Sequence, residues 1–271
     1  MSQPILLGAV LYDPKVSVIW DIIREYFEES GVPMDVVFFT NYELQVRQLM
    51  AGSIDVAWNS PLAWVDSQRL SGDTCRAIAM RDTDRDRCSH IIAKVGSGIT
   101  SIADLRGKTI GFGALDSPQA RLIPIELLER GGIGPGDYTA RRFDVLVGKH
   151  GDHIGGELDA LNALKAGEVD ASCLLDLNFE SWSADGTLDA SEYVVVATTD
   201  LFDHCVFAVT SAFGPEREKA FLEALFAMDY GNPEHKEMMD LEGLKKWEPG
   251  RTTRFGPLAR ACEITHFFAD R

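Results

Sequence analysis

Two short segments combine cysteine with histidine, a pair that can produce a thiolate nucleophile. They are Cys88-Ser-His90 and Asp203-His-Cys205, the second of which precedes an apolar run. A histidine that removes the thiol proton activates cysteine for covalent catalysis. Neighbouring side chains in a strand point to opposite faces, so we expect His204 and Cys205 not to contact each other. Buried structural thiols are the favoured interpretation, and no catalytic residue is assigned.

A third segment carries possible metal ligands. His150, Asp152 and His153 lie within five residues, and imidazole and carboxylate together suit zinc or iron. This spacing is a weak signal, because a solvated loop shows it equally well. Gly111-Phe-Gly113 is not a dinucleotide-binding fingerprint, and the sequence holds no Walker loop, GxSxG elbow or HExxH helix. We therefore predict no metal and no cofactor.

The elements that must position such groups are visible in an internal repeat. The segments 49–57 (LMAGSIDVA) and 164–172 (LKAGEVDAS) each predict a helix that ends at a glycine, followed at once by an apolar strand entered through an aspartate. The repeat predicts two similar α/β lobes. Ligands of open parallel sheets bind beyond the carboxyl ends of the strands, so residues 58–61 and 174–178 are expected to face a shared cleft.

Alternating strand and helix patterns predict the fold class: α/β, two lobes, each a mostly parallel sheet flanked by helices. The charged run 81–87 and the apolar segment 193–197 are the predicted crossings between the lobes. Lobe 1 would therefore be discontinuous, with residues 1–86 and 198–271, and lobe 2 would span residues 87–197. Two crossing segments permit hinge closure around a ligand in the cleft. Within these lobes the pattern also predicts a strand at 143–146 and a helix at 215–230.

Composition limits the partners and the compartment. The chain has 271 residues and a net charge of −16, with 26 basic and 42 acidic residues, which argues against nucleic acid and anionic membrane surfaces. No segment approaches the roughly 20 apolar residues that cross a membrane. The start shows no secretory signal, and the five cysteines are scattered. As written, the sequence predicts a cytoplasmic protein with reduced thiols. If an export leader has been removed from it, the sequence predicts a periplasmic protein.

Three segments in order carry a family resemblance: Gln45 to Ala57 with its MAGSIDVA core, Ser60-Pro-Leu-Ala-Trp64, and 98–108 (GITSIADLRGK). Together they resemble the phosphate/phosphonate-binding proteins of ABC importers, which are type II periplasmic binding proteins. The resemblance implies a two-lobed fold, a small-molecule ligand and, after export, an ABC permease as partner. Related folds hold phosphonates, sulfonates and other small anions, and a few cytoplasmic relatives are enzymes.

In that family a Ser-Thr-Ser-like run at a helix N-terminus holds the anionic head group through free N–H groups and the helix dipole. The corresponding run here is Asp116-Ser-Pro-Gln119, in which Pro118 lacks an N–H and Asp116 adds negative charge. The family also tends to place a histidine before the second-lobe helix. That position falls near Gly156-Glu157, and an insertion would be needed to bring His150 or His153 to it.

The leading hypothesis is a solute-binding protein that closes around one small polar ligand. Because Asp116 and Asp176 are both expected at the cleft, a zwitterionic, cationic or neutral ligand is at least as compatible as a phosphate ester. The alternative is a cytoplasmic enzyme that reuses this fold on a small carboxylated or heterocyclic metabolite. The predicted ligand-binding residues follow strand ends or match the family pattern: Tyr12, Asn59, Ser60, Trp64, Ser117, Gln119, His153, Asp176 and Asn178.

Overall fold

The computed structural model describes residues 3–11, 14–144 and 156–269. The chain divides into two compact units, the first formed by residues 1–85 and 203–253 and the second by residues 86–202 and 254–271. The described strands are β1 (Ile5–Val10), β2 (Met34–Phe39), β3 (Val56–Asn59), β4 (Arg76–Arg81), β5 (Ser89–Lys94), β6 (Thr109–Phe112), β7 (Thr139–Arg142), β8 (Ala171–Leu175), β9 (Tyr193–Thr198), β10 (Val206–Val209) and β11 (Trp247–Pro249). The described α-helices are α1 (Pro14–Glu29), α2 (Tyr42–Met50), α3 (Pro61–Ser71), α4 (Ile123–Arg130), α5 (Glu157–Ala166), α6 (Asp176–Asp185), α7 (Pro215–Phe226), α8 (Pro233–Leu241) and α9 (Gly256–Ile264).

Each unit is built on one mixed sheet with a parallel core. The first sheet has the order β11-β4-β10-β3-β1-β2, in which β1 pairs in parallel with β2 and β3 while β10 runs antiparallel to β3 and β4. The second has the order β7-β6-β8-β5-β9, with β6 parallel to β7 and β8 and with β5 antiparallel to β8 and β9. The predicted fold class is confirmed.

The repeated aspartates perform the same structural task in both sheets. Asp55 accepts a hydrogen bond from the Leu6 backbone N–H at 2.9 Å, and its own N–H donates to the Leu6 carbonyl at 2.8 Å. Asp170 does the same with Thr109, at 2.7 Å and 2.8 Å. Each aspartate therefore satisfies a backbone N–H at the start of the neighbouring parallel strand and helps to fix its register. The sequence repeat is a structural repeat.

An aromatic cluster fills the core of the first unit. The ring centroid of Trp58 lies 4.6 Å from that of Phe207, 5.8 Å from that of Trp247 and 6.5 Å from that of Trp20. The Trp58 side chain is 7% exposed, as expected of a core residue. Such edge-to-face and tilted pairs add to the stabilisation from apolar burial. The cluster holds β3, β10 and α1 together near the strand end that carries Asn59.

The C-terminal segment differs from its prediction. Residues 254–271 were predicted in the first lobe, but they belong to the second unit, so the chain passes between the units three times rather than twice. The reason is packing: α9 lies on α4, and Arg260 donates from Nε to Glu126 at 2.9 Å. The sequence of an amphipathic helix indicates that one face packs against an apolar surface, but it does not indicate which element provides that surface.

Three element boundaries also differ. Residues 143 and 144 of the predicted strand at 143–146 lie outside any strand, and residues 145 and 146 lie outside the described residues. Strand β7 comes earlier, and its four residues are all exposed and show no apolar alternation. The predicted helix at 215–230 ends at Phe226, and α8 begins at Pro233 behind an Asn232 cap. Helix α6 was not predicted, because none of its residues is fully buried and it lacks a periodic apolar face.

Candidate functional site

A buried carboxylate organises the strand end of the second unit. Glu157 is the first residue of α5, and only 1% of its side chain is exposed. Its Oε1 accepts from Gln119 Nε2 at 3.0 Å, and its Oε2 accepts from Asn178 Nδ2 at 2.8 Å and from the Leu175 N–H at 2.9 Å. We call these four residues the Glu157 cluster. Two predicted ligand-binding residues, Gln119 and Asn178, are therefore brought together by a residue that was not predicted.

The environment of Glu157 disfavours its charge. Burial raises the pKa of Glu157 above its ordinary value of 4.5, whereas the hydrogen bonds from Leu175, Asn178 and Gln119 oppose that shift, and Asp176 adds to it. The carboxyl group thus accepts hydrogen bonds from three neutral donors. It behaves as a positioning group whose role is to hold two amide side chains and the end of β8.

The predicted head-group segment is used differently from the family pattern. Ser117 is 4% exposed, and its Oγ accepts from the Ala120 N–H at 3.1 Å. The hydroxyl therefore caps the π-helical turn Pro118–Leu122, whose first residue has no N–H. Asp116 is 1% exposed, and its charge raises the pKa of Arg121, although burial and Arg142 lower that pKa overall. Asp116, just before this turn, places a buried carboxylate beside the position where the resemblance implies anion-binding donors.

Asp176 begins α6 and lies beside the Cys88-Ser-His90 segment. Its Oδ1 accepts from the Leu177 N–H at 2.9 Å, its Oδ2 lies 3.6 Å from Arg87 Nη1, and its N–H donates to the Cys88 carbonyl at 2.9 Å. Burial and the Asp176 charge raise the pKa of the Cys88 thiol. A raised pKa lowers the thiolate fraction, so Cys88 is not activated as a nucleophile.

The strand end of the first unit holds three more predicted residues. Asn59 is fully buried, with its Oδ1 accepting from Gln45 Nε2 at 2.9 Å and its Nδ2 donating to Ser67 Oγ at 3.0 Å. Ser60 caps α3 by accepting from the Ala63 N–H at 3.2 Å. Trp64 is 2% exposed, inside the unit. Asn59 and Ser60 thus fix the junction between β3 and α3.

The other predicted residues, Tyr12 and His153, lie outside the described residues, as do His150 and Asp152. Sequence reasoning missed Glu157 and Gln45, which hold the predicted amides in place. Glu157 lies at the position where the resemblance implied a histidine, and this match was the one sequence signal that could have identified Glu157 as a site residue. A glutamate at a helix start normally indicates a solvent-exposed dipole interaction, so its type alone gave no indication of burial.

One prediction about His204 and Cys205 was wrong. His204 Nδ1 lies 3.1 Å from Cys205 Sγ and 3.5 Å from Asp84 Oδ1. Both residues precede β10, so the alternation of strand side chains does not apply to them. A Cys-His-Asp relay needs the thiol at one ring nitrogen and the carboxylate at the other. Here Nδ1 faces both groups, and Cys205 is only 6% exposed, so the arrangement does not support nucleophilic catalysis.

Comparison with known proteins decides the family. Residues 11–254 match the model of a family described as the periplasmic substrate-binding protein of phosphonate ABC transporters. The chain belongs to this family. The resemblance is confirmed, and family membership favours solute binding over the enzyme alternative.

Within the described parts of the chain, every helix is too short or too polar to span a bilayer.

Two curated relatives of this phosphonate-binding family member are partial matches. The phosphate-import protein PhnD of Mycolicibacterium smegmatis is 25% identical over 228 residues, which cover 80% of this chain and 66% of the relative. An uncharacterized protein of Haemophilus influenzae is 64% identical over 42 residues, which cover 16% of this chain and 59% of that protein. The matches thus span less than two thirds of either relative's length.

Solved structures confirm the fold of this family member. PhnD1 of Prochlorococcus marinus, in complex with methylphosphonate, gives a TM-score of 0.70 at 16% identity, covering 97% of this chain and 98% of that one. A Xanthomonas citri protein bound to ATP gives 0.73 at 15% identity, covering 98% and 100%. At such identities the likeness establishes the two-lobed binding-protein fold and leaves the ligand to the residues themselves.

Two glycines that flank α5 test how tightly the Glu157 cluster is held. Gly156 has φ +69°, and a Cβ there would lie 2.9 Å from the Phe143 carbonyl oxygen and 3.0 Å from the Ala114 nitrogen. Gly167 has φ +75°, with open space around the same position. We expect Gly167→Ala to cost about 1 kcal/mol for the left-handed backbone, and Gly156→Ala to cost about 1–3 kcal/mol more for the clash. Urea unfolding of both variants measures the difference, and equal losses would contradict the close packing before Glu157.

Proposed function

We propose that this protein binds one small polar solute as the substrate-binding component of an ABC importer, working in the periplasm with a permease partner. The observation that carries the proposal is the family match across residues 11–254. Buried polar groups at strand ends support it, because ligands of such sheets bind beyond the carboxyl ends of the strands. The proposed contacts are at the predicted residues of the second unit, whereas Asn59, Ser60 and Trp64 are buried inside the first unit and support its strand end.

The charges of the second unit indicate the ligand class. Asp116 is 1% exposed and the Asp176 side chain is 14% exposed, whereas burial disfavours the charged form of Glu157. The Ser117 hydroxyl caps the turn that begins at Pro118, and Pro118 has no N–H to donate. Two like unit charges 4 Å apart repel by about 4 kcal/mol near a protein surface. We therefore propose a zwitterionic, cationic or neutral solute that donates hydrogen bonds, rather than inorganic phosphate.

Thermal unfolding of the purified protein with single compounds tests both the proposed solute binding and the proposed ligand class. The panel contains inorganic phosphate, methylphosphonate, alkanesulfonates, amino acids, aminoalkylphosphonates, betaines and neutral heterocycles. A compound present at 100 times its dissociation constant adds about 2.7 kcal/mol of stability. We expect a shift with zwitterionic, cationic or neutral members and none with phosphate or methylphosphonate.

Variants then connect a hit to the proposed contacts. Asn178→Ala should weaken the hit compound at least tenfold in isothermal titration, whereas Glu168→Ala, an exposed change on the same unit, should leave its affinity unchanged. A response confined to phosphate or methylphosphonate would reject the ligand class while keeping the solute-binding function. If wild type binds the compound and Asn178→Ala binds it equally well, the proposed contact at Asn178 is rejected.

A further inference from the structure

A cluster of three different ligand types lies in the first unit. Asp84, His204 and Cys205 each offer one ligand atom, and these atoms all lie within 4.8 Å of one another. The three side chains are buried, with residue exposures of 2%, 4% and 6%. We propose that Asp84, His204 and Cys205 bind a divalent transition-metal ion of the zinc type.

The distances between ligand atoms suit such an ion. Zinc bonds of about 2.3 Å to sulfur and about 2.0–2.2 Å to nitrogen and oxygen place tetrahedral ligand atoms roughly 3.4–3.6 Å apart. Here His204 Nδ1 lies 3.5 Å from Asp84 Oδ1 and 3.1 Å from Cys205 Sγ. The Nδ1–Oδ1 distance matches this tetrahedral spacing, and the Nδ1–Sγ distance is slightly shorter than it. Thiolate, imidazole and carboxylate together favour zinc and its neighbours over magnesium or calcium.

The ligands are attached to rigid elements. Asp84 ends a short turn that directly follows β4, while His204 and Cys205 lead into β10, which pairs with β4. The His204 N–H donates to the Asp84 carbonyl at 2.8 Å, which fixes the two ligand-bearing segments against each other. Sites built in this way keep their geometry without the metal, so little ordering entropy opposes binding.

The adjacent arginine is compatible with the ion. Arg81 donates to both oxygens of Asp84, from Nε at 2.7 Å and Nη2 at 2.9 Å, which orients the carboxylate. Each carboxylate oxygen accepts about two bonds, so a lone pair of Oδ1 remains available for the ion. Binding replaces the proton of the Cys205 thiol, which is released to solvent, and forms the metal–sulfur bond. Two anionic ligands then balance the divalent charge, and Glu242 stays opposite Arg81 at 3.0 Å.

The inference has a structural consequence. Asp84 and Asp203 are close in sequence to two of the points at which the chain leaves and re-enters the first unit. A bound ion would cross-link these two segments and stabilise the first unit by an amount that rises with the logarithm of the metal concentration above the dissociation constant. The proposed solute-binding function does not depend on this ion.

Cobalt(II) is the probe, because a cobalt–thiolate bond gives an intense near-ultraviolet charge-transfer band. We expect chelator-treated wild-type protein to bind one Co²⁺ with this band, and Zn²⁺ to displace it. Cys205→Ser should abolish the band, while Cys75→Ser, which changes another buried thiol of the same unit, should keep it. His204→Gln should retain the thiolate but weaken binding by at least about tenfold.

Several results would overturn the proposal. They are the absence of a thiolate band in folded wild-type protein, a band that persists in Cys205→Ser, or a band lost in Cys75→Ser alone. Should Cys205→Ser fail to fold, X-ray absorption of the wild-type zinc form decides: one sulfur neighbour supports the assignment and none rejects it. Circular dichroism confirms that each variant is folded.

Discussion

Arg81→Ala should lower the unfolding free energy by about 3–5 kcal/mol, because it leaves two desolvated carboxylates without their cation. Arg81 donates to Asp84 at 2.7 and 2.9 Å and, through Nη1, to Glu242 Oε2 at 3.0 Å. The Asp84 and Glu242 side chains are only 3% and 11% exposed. The guanidinium also lies 5.3 Å from the Trp58 ring centroid, so the change disturbs the aromatic cluster as well.

The pH dependence has a defined sign. Burial alone would raise the pKa of Asp84, but the charge and hydrogen bonds of Arg81 hold it well below its ordinary value of 3.8. A lowered folded-state pKa stabilises the protein above that ordinary value, and the contribution is lost as the pH falls. The difference between wild type and Arg81→Ala should therefore be large at neutral pH and should narrow in acid.

Tryptophan fluorescence in urea measures this loss, because four of the five tryptophans lie in the first unit. Arg24→Ala is the matched control: its Nε lies 3.7 Å from Asp21 on the surface of α1, with the Arg24 side chain 37% exposed. Exposed pairs contribute about 0–1 kcal/mol. Equal losses for Arg24→Ala and Arg81→Ala would show that the buried network gives no special stabilisation.

Glu157→Ala is the second large change, with an expected loss of about 2–3 kcal/mol. It removes the acceptor of the Gln119 and Asn178 amides and of the Leu175 N–H, and a buried donor left unsatisfied costs about 1–3 kcal/mol. Water entering the vacated space offsets part of this cost. Amide hydrogen exchange at residues 171–178 should accelerate, because the Leu175 hydrogen bond is lost.

Glu157→Gln removes the titration while keeping the size of the side chain. Burial raises the folded-state pKa of Glu157, so its stabilising contribution is complete below its ordinary value of 4.5 and is lost as the pH rises through the folded value. The advantage of wild type over Glu157→Gln should therefore shrink as the pH increases above 4.5. An advantage that grows with pH would mean that Glu157 is stabilised as a carboxylate.

Glu168→Ala controls for the loss of a negative charge. Glu168 lies just beyond α5 and pairs with Arg141 at 2.8 Å, with the Glu168 side chain 53% exposed. Surface changes of this kind stay within about 0.5 kcal/mol. A similar loss for Glu157→Ala would contradict the central position of the Glu157 cluster.

The candidate site was only partly predictable. Gln119 and Asn178 were chosen from a family pattern and a strand end, and the structure joins them through Glu157, which is 38 residues from Gln119 in sequence. A hydrogen bond over that separation leaves no periodic trace in a single sequence. The contact between His204 and Cys205 was excluded by a rule for strands that does not hold just before a strand begins.

The two-lobed α/β class was predictable because turn glycines, apolar runs and the repeated Asp55 and Asp170 are local signals that act within one helix–strand unit. Tertiary packing places residues 254–271 in the second unit, buries Glu157 against two amides and brings Asp84 close to His204 and Cys205. These features depend on which surfaces pack together. Burial and packing are set by the whole fold, whereas helix and strand periods are set by neighbours along the chain.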